Sequence, residues 1–395
     1  MIAHAPANEA EAQAVIAEAA SRRAPLSLEG GGTKRGIGRP TQTDGVLTSR
    51  NLSGITLHEP AELVIAARSG TPLAEVEAAL AAKGQRLPFE PLDYRALLGS
   101  SGEPTIGGMA AANLSGPRRI QAGACRDSFL GTRFVNGRGE LVKSGGRVMK
   151  NVTGLDLTRL MAGAHGTLGF LTEVTFKVLP MPQTQATLVI AGLDDERGVA
   201  ALSAGLGSPF EVTGAAHLPA GIGEARARTV LRLEGSSVAI AYRSERLVSL
   251  LAPFGKAEIV GPEASAALWL DIRDVRLLAE PPESAIWRIS VAPSRGPGFV
   301  ETLRRKLEAR HFSDWGGGLI WLACPATGDA GAAVIHVATA AAGGHATLIR
   351  APDAVRVAVE VFQPQAEAVA KLSRGVKASF DPLGVLEPGR MYAGI

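Results

Sequence analysis

The stretch PLSLEGGGTKRGIG, Pro25 to Gly38, decides how this chain is read. A short apolar segment runs into Gly30-Gly31-Gly32, then Thr33, Lys34 and Arg35, then two more glycines. Successive backbone N–H groups in a turn can form a concave anion site. Glycine enters the positive-φ conformations such a turn needs at no steric cost. A strand feeding this run would present several donors, with a hydroxyl and a cation beside them, which suits a pyrophosphate. A plain turn uses the same residues, and this run alone leaves both readings open.

Two familiar nucleotide motifs are excluded. Gly30 and Gly32 fit G-x-G, but Arg35 occupies the third position and Pro40 stands where a Rossmann helix should run. Lys34 follows Thr33 rather than glycine, so this is not a Walker A loop. Two further clusters change the balance. GEPTIGGMAAANLSGP (102–117) carries Thr105, Gly107, Gly108, Asn113, Ser115 and Gly116, and MAGAHGTLGFLTEV (161–174) carries Gly163, Gly166 and Gly169. Glycine-rich segments separated by apolar strands predict one large ligand held by backbone at several places.

The 395 residues are enough for two or three domains, and 46% hydrophobic with 20% charged residues reads as a globular chain. A net charge of +3, with basic residues scattered, excludes a nucleic-acid footprint. Two cysteines, Cys125 and Cys324, cannot ligate an iron–sulfur cluster, which needs about four thiolates. They also argue against a disulfide framework and for a reducing compartment. MIAHAPANEAEAQ lacks a basic n-region, so no signal peptide is expected.

Residues 8–23 predict a helix with Val15, Ile16 and Ala19 on one face. GVLTSR, GITLHEP and LVIAARSG predict short strands. TPLAEVEAALAAKG (71–84) predicts a helix with Thr71 as N-cap, Pro72 at its first position, Glu75 completing a capping box and Gly84 as C-cap. Residues 99–117 read as a Gly/Ser/Pro-dense stretch. SFLGTRFVN and ELVKSGG predict a hairpin about Gly137-Arg138-Gly139. A short helix breaking at Gly163 and the strand FLTEVTFKVLP follow, and Pro180 and Pro182 mark a boundary. Beyond it, the run TVLRLEGSSVAIAYRSERLVSLLAPFG (229–255) reads as strand, and PATGDAGAAVIHVATAAAGG (325–344) as a strand with turns. FVETLRRKLEAR (299–310) reads as a helix, and the tail from 368 as a basic helix with a Pro/Gly-rich end. No internal repeat is found in the sequence. The expected domains are 1–182, 183–360 and a C-terminal segment 361–395 that returns to the first.

Taken in order, EGGGTK, TIGGMAAANLSGP, GACRDSFLG, NVTGLDLTRLMAGAHGTLGFLTEVTFKVLP and FDPLGVLEPGRM resemble the FAD-linked oxidase family, the PCMH-type or vanillyl-alcohol oxidase superfamily. The resemblance covers roughly 8–182 and the last fifteen residues. It implies an α+β fold: a PCMH-type FAD-binding domain of two α+β subdomains, then a smaller α+β cap with an antiparallel sheet. It implies that Gly30, Gly31, Gly32, Thr33 and Lys34 bind the diphosphate of FAD. Thr105, Gly107, Gly108, Asn113, Gly116, Gly123 and Asp127 would line the cofactor, and Gly166, Leu168 and Phe170 would close over it. The family's covalent-flavin histidine has no match in the first loop, which implies noncovalent FAD. Leu155 stands where the family usually has Tyr, and Glu387 where it often has Asn. An aromatic is also common near Ala122.

Within the superfamily, WGGGLIWL and AAGGHATLIRAP resemble the FAD-binding E-type subunits of glycolate oxidases. That implies a catalytic D-type flavoprotein and an iron–sulfur F-type subunit as partners. It also implies a cytoplasmic location with peripheral contact to the inner membrane through the complex. The hydroxy-acid-oxidising members carry a His-rich metal motif, HxxGDGNxH, in the second domain. The seven histidines here do not repeat it. HVATAAAGGH (336–345) lacks its acid and Asn, so His336 and His345 are expected at strand ends with no metal. Catalytic residues are not identified. His165 is expected to pack or bond to backbone, Cys125 to be a small buried hydrophobe, and the four tryptophans to lie in core or partner packing. Arg390 and Lys377 would be either flavin-facing cations or solvated charges. Two other readings stay open: a self-sufficient 2-hydroxy-acid dehydrogenase, and a structural subunit with a degenerate flavin site.

Overall fold

The computed structural model describes residues 2–147 and 154–395. Asn151–Thr153 of the fourth resemblance segment lie outside the described residues. The first helix, Glu9–Arg22, starts where the Asn8 side chain accepts the Glu11 N–H. Its buried stripe is Ala12, Ile16, Ala19 and Ala20, and left-handed Arg23 ends it. The chain then enters strand Leu26–Glu29, which pairs in parallel with Gly45–Thr48; that strand also pairs in parallel with Ile2–His4.

A five-stranded antiparallel sheet stands beside this layer, in the order Ile55–Glu59, Val64–Arg68, Phe170–Lys177, Phe129–Val135, Leu141–Gly145. The hairpin over 129–145 is the one the glycine turn predicts. The second helix is Leu73–Ala81, and Pro72, not Thr71, is its N-cap. The Thr71 hydroxyl is committed elsewhere, donating to the Arg68 carbonyl at 2.7 Å and accepting the Gly54 N–H at 3.0 Å. The stretch 99–117 is less irregular than its composition implies. It holds helix Ile106–Ala112, whose N-cap Thr105 accepts the Gly108 N–H.

Residues 184–350 carry an eight-stranded antiparallel sheet. Here two expectations fail. The run 229–255 is a strand, Arg228–Gly235, followed by a helix, Ser237–Leu251. The Ser236 side chain caps that helix, and Ile240, Ser244, Leu247 and Leu251 bury one face at helical spacing. Likewise Ala332–Ala341 is a helix rather than a strand, burying Ala332, Ile335, His336 and Thr339. Alanine is the best helix former, and the flanking Gly331 and Gly343 lie outside the helix.

The sheet hides a duplication that the sequence does not show. Thr184–Ala191, Asp195–Leu206, Gly214–Leu218, Arg228–Gly235, Ser237–Leu251 and Ala257–Val260 run β-α-β-β-α-β. The elements Ala285–Ser290, Gly296–Arg304, Arg310–Asp314, Leu319–Cys324, Ala332–Ala341 and His345–Arg350 repeat that order. The halves join between Gly214–Leu218 and Arg310–Asp314, with His217 opposite Ser313. There Asp195 lies 3.3 Å from His217 Nε2 and 3.2 Å from His311 Nε2. Helices cover the outer face of the sheet over two cores. The inner face packs Ala216, Ile286, Phe312, Trp321 and Ile349 into one core with Ile65, Phe89, Met109 and Phe176 of the glycine-bearing part.

Candidate functional site

Strand Leu26–Glu29 delivers the first glycine run to an open cleft. Gly30, Gly31, Gly32, Thr33, Lys34 and Arg35 form one wall. Ser69, Thr105, Gly107, Gly108, Ala111 and Ala112 form a second, and His165, Gly166, Gly169, Phe170 and Leu171 a third. Arg390 reaches in from the tail. All three glycine-rich segments thus converge on one space.

The glycines have two distinct causes. Gly32 takes φ +80°, which a side chain would strain. Gly31 is pressed against the backbone of the second segment. A Cβ there would lie 1.8 Å from the Glu103 carbonyl oxygen, and one at Gly102 would lie 1.7 Å from the Gly31 oxygen. Bare backbone at 31 is therefore needed to bring the segments together as well as to face a ligand.

Charge in the cleft is arranged for an anion. Burial pulls the Lys34 ammonium down to about 8, with Asp93 opposing that shift and Arg95 adding to it. Its Nζ donates to Thr33 Oγ1 at 3.3 Å. Arg390 donates to the Lys34 carbonyl at 3.2 Å and to Glu387 at 2.8 Å, while its Nε is buried without a partner. Glu387 is fully buried and accepts the Leu28 N–H at 2.7 Å. The tail thus straps the loop in place, and Arg390 is neither solvated nor isolated. Glu29 pairs with Arg35 at the rim.

His165 lies in the cleft in a left-handed conformation, its N–H donating to the Ala111 carbonyl at 2.9 Å. Its ring packs edge-on to Phe362 at 5.4 Å. Burial, with Arg390 nearby, holds the imidazole neutral by pushing it down to about 3.

Ten of the fifteen residues named from the resemblance line the cleft, and Asn113, Gly116, Gly123, Asp127 and Leu168 do not. Asn113 Oδ1 accepts the Arg126 N–H at 3.1 Å, and Asp127 accepts the Ala124 N–H at 2.8 Å. The Gly116 carbonyl accepts from Trp315 Nε1 at 3.1 Å. Gly123, at φ +83°, abuts Asp127, and Leu168 sits in the core. Sequence reasoning did not name Ser49, Ser69 or Glu29, which also line the cleft. Ser69 follows strand Val64–Arg68 directly, and that strand-to-Ser-Gly step was the available signal.

Lys377 is buried away from the cleft, bonded to Asp381, Thr167 and Leu386, and so is structural. His336 lies inside a helix, not at a strand end, and its ring bonds Gln363 and the Glu360 carbonyl. Among the described residues no group of three or more His, Cys, Asp or Glu is arranged to hold a metal ion. Cys125 and Cys324 are free and buried, and burial pushes both thiols up. Trp269, Trp287 and Trp321 are core residues.

The residues present fit a dinucleotide diphosphate: bare backbone on one side, a half-buried ammonium, and an orphaned guanidinium nitrogen. The comparisons agree. Residues 2–145 match the family described as FAD binding domain. Glycolate oxidase subunit GlcE of Escherichia coli (strain K12) is 35% identical over 96% of this chain and 95% of that subunit. Subunit GlcD of Bacillus subtilis (strain 168) is 31% identical over 47% of this chain and 38% of that one. Among solved structures, 4-ethylphenol oxidase from Gulosibacter chungangensis shares the fold at TM-score 0.75 and 12% identity, covering 99% of this chain and 89% of that one. FAD is the cofactor, and the chain is an FAD-linked oxidoreductase. This chain belongs to the FAD-linked oxidase superfamily and, within it, to the family of glycolate oxidase subunit GlcE.

Proposed function

We propose that this chain is the FAD-carrying subunit of a glycolate oxidase complex that converts glycolate to glyoxylate. The likeness to GlcE along nearly the whole chain, with the glycine cleft formed, is the observation that carries this reading. When bound, FAD supplies a two-electron acceptor, and the protein supplies binding and electrostatics. Gly30, Gly31, Gly32, Thr33 and Lys34 hold the diphosphate. Thr105, Gly107, Gly108, Gly166 and Phe170 flank the rest, with Asn113, Gly116, Gly123, Asp127 and Leu168 shaping the walls behind. The absence of histidine from the Gly30–Lys34 loop supports noncovalent attachment.

The partners are a catalytic D-type flavoprotein and an F-type iron–sulfur subunit that takes the electrons. Two buried, separate thiols support the need for that partner. The complex works in the cytoplasm, and its contact with the inner membrane runs through the partners. No described helix is long and apolar enough to cross a membrane.

The test is reconstitution. The isolated chain takes up one FAD, and D- and F-type subunits assembled with it pass electrons from glycolate. A chain that binds no FAD, or a complex that works equally well without it, overturns the proposal.

A further inference from the structure

We infer that His165 is a cofactor-binding residue: its ring exchanges hydrogen bonds with a hydroxyl of FAD in the cleft, and Phe362, from the sheet-bearing part, holds the ring there. The ligand's identity rests on the flavin reading above. The role of the ring rests on the geometry around residue 165.

The backbone at 165 lies in the left-handed region, at φ +50°. Gly163 at φ +87° and Gly166 at φ +83° stand on either side of it. The turn is pinned by hydrogen bonds: the His165 N–H donates to the Ala111 carbonyl at 2.9 Å, and the Thr167 hydroxyl donates to the Ala164 carbonyl at 2.7 Å. Glycine enters this region at no steric cost, while any other residue there is uncommon. The segment uses glycine at two of these three positions and keeps an imidazole at the third. Position 165 is thus held for its side chain, since glycine would serve the backbone better.

The ring is half-buried and lines the cleft. Among the described residues nothing hydrogen-bonds either ring nitrogen, and neither is sealed in the core, so both are reachable from the cleft. Other histidines are engaged by the protein. His58 meets Gln85, His217 meets Thr229, His311 meets Asp195, and His336 meets the Glu360 carbonyl.

The ring is also held from outside the cleft. Phe362 meets it edge-on at 5.4 Å. Phe362 packs on Tyr392 at 5.9 Å, whose hydroxyl donates to the Gln363 carbonyl at 3.3 Å. The Val361 carbonyl accepts the Leu348 N–H at 2.8 Å, which ties this segment to strand His345–Arg350. Partial burial and the nearby Arg390 disfavour a proton on the imidazole. A neutral imidazole carries one donor and one acceptor. That complements a hydroxyl, which also does both, whereas Lys34 and Arg390 side chains only donate, as a diphosphate requires. The ring is therefore matched to the sugar and ribityl hydroxyls of FAD rather than to its phosphates.

The test measures FAD affinity by equilibrium titration of the full chain, and Tm without FAD. His165→Gly relieves the backbone and removes the ring. It should weaken FAD at least about fivefold, the worth of one hydrogen bond, while Tm holds or rises. His165→Asn tolerates the left-handed backbone, keeps one donor and one acceptor, and should recover part of the loss. Phe362→Leu keeps the apolar bulk and should weaken FAD about threefold, but only while the ring is present, so it should add nothing in His165→Gly. Unchanged FAD affinity in His165→Gly, or a Phe362→Leu effect that is the same with and without the ring, overturns the inference and leaves the flavin reading intact. A wild-type chain that takes up no FAD overturns the flavin reading, and the inference falls with it.

Discussion

Lys34 carries more of the cofactor argument than its neighbours because partial burial already lowers the pKa of its ammonium. A bound diphosphate favours the charged form and raises its pKa. The free chain sheds this proton above pH about 8, so binding there must take a proton up. FAD affinity should be flat below that pH and fall above it by up to tenfold per unit, as read by titrations from pH 7 to 9.5. Lys34→Met should weaken FAD by roughly 10- to 100-fold, the worth of a charged hydrogen bond of ~1.5–3 kcal/mol, and abolish the pH slope. A slope that survives in Lys34→Met would place the titrating group elsewhere. The glycine run around Lys34 was legible because N–H donors and φ freedom are local properties. The second reason for Gly31, the Glu103 carbonyl behind it, depends on a segment some seventy residues away and left no local mark.

Element by element, legibility followed periodicity. Helix Glu9–Arg22 and strand Phe170–Lys177 had one buried face each and were readable. Ser237–Leu251 and Ala332–Ala341 were misread because Val, Ile and Ala are spread around them and resemble strand. Their 3.6-residue spacing shows only when burial is known. Between elements, the buried chain Arg86–Glu234–Arg118–Glu90–Arg232 ties the glycine-bearing part to the sheet, with Arg118 to Glu234 at 2.8 Å and Arg232 to Glu90 at 2.8 Å. These arginines hold the Glu234 carboxyl well below the usual range against the opposing effect of burial. Glu234→Ala leaves buried cations without an anion and should cost about 3–5 kcal/mol in chemical denaturation. A loss below about 1 kcal/mol would show the network to be solvated.

At the scale of the whole molecule, the cleft is closed by residues from both ends of the chain. Glu387 and Arg390 strap strand Leu26–Glu29 and the Lys34 carbonyl. The tail's return was readable from the resemblance, but the strap, through a Glu where the family often has Asn, was not. Arg390→Met should loosen the loop and weaken FAD more than tenfold, with a small change in Tm; unchanged FAD affinity would make the strap ornamental. The duplicated β-α-β-β-α-β sheet was invisible in the sequence because such a topology is fixed by strand pairing and tolerates dissimilar side chains.

The most direct test of the central claim compares FAD with riboflavin, which has the same ring and no diphosphate, in equilibrium titrations of the apo chain. If the glycine cleft grips the diphosphate, FAD binds one per chain and riboflavin binds at least a thousandfold more weakly. Comparable affinities for the two would mean that Gly30–Lys34 is a turn and that the cofactor is held elsewhere.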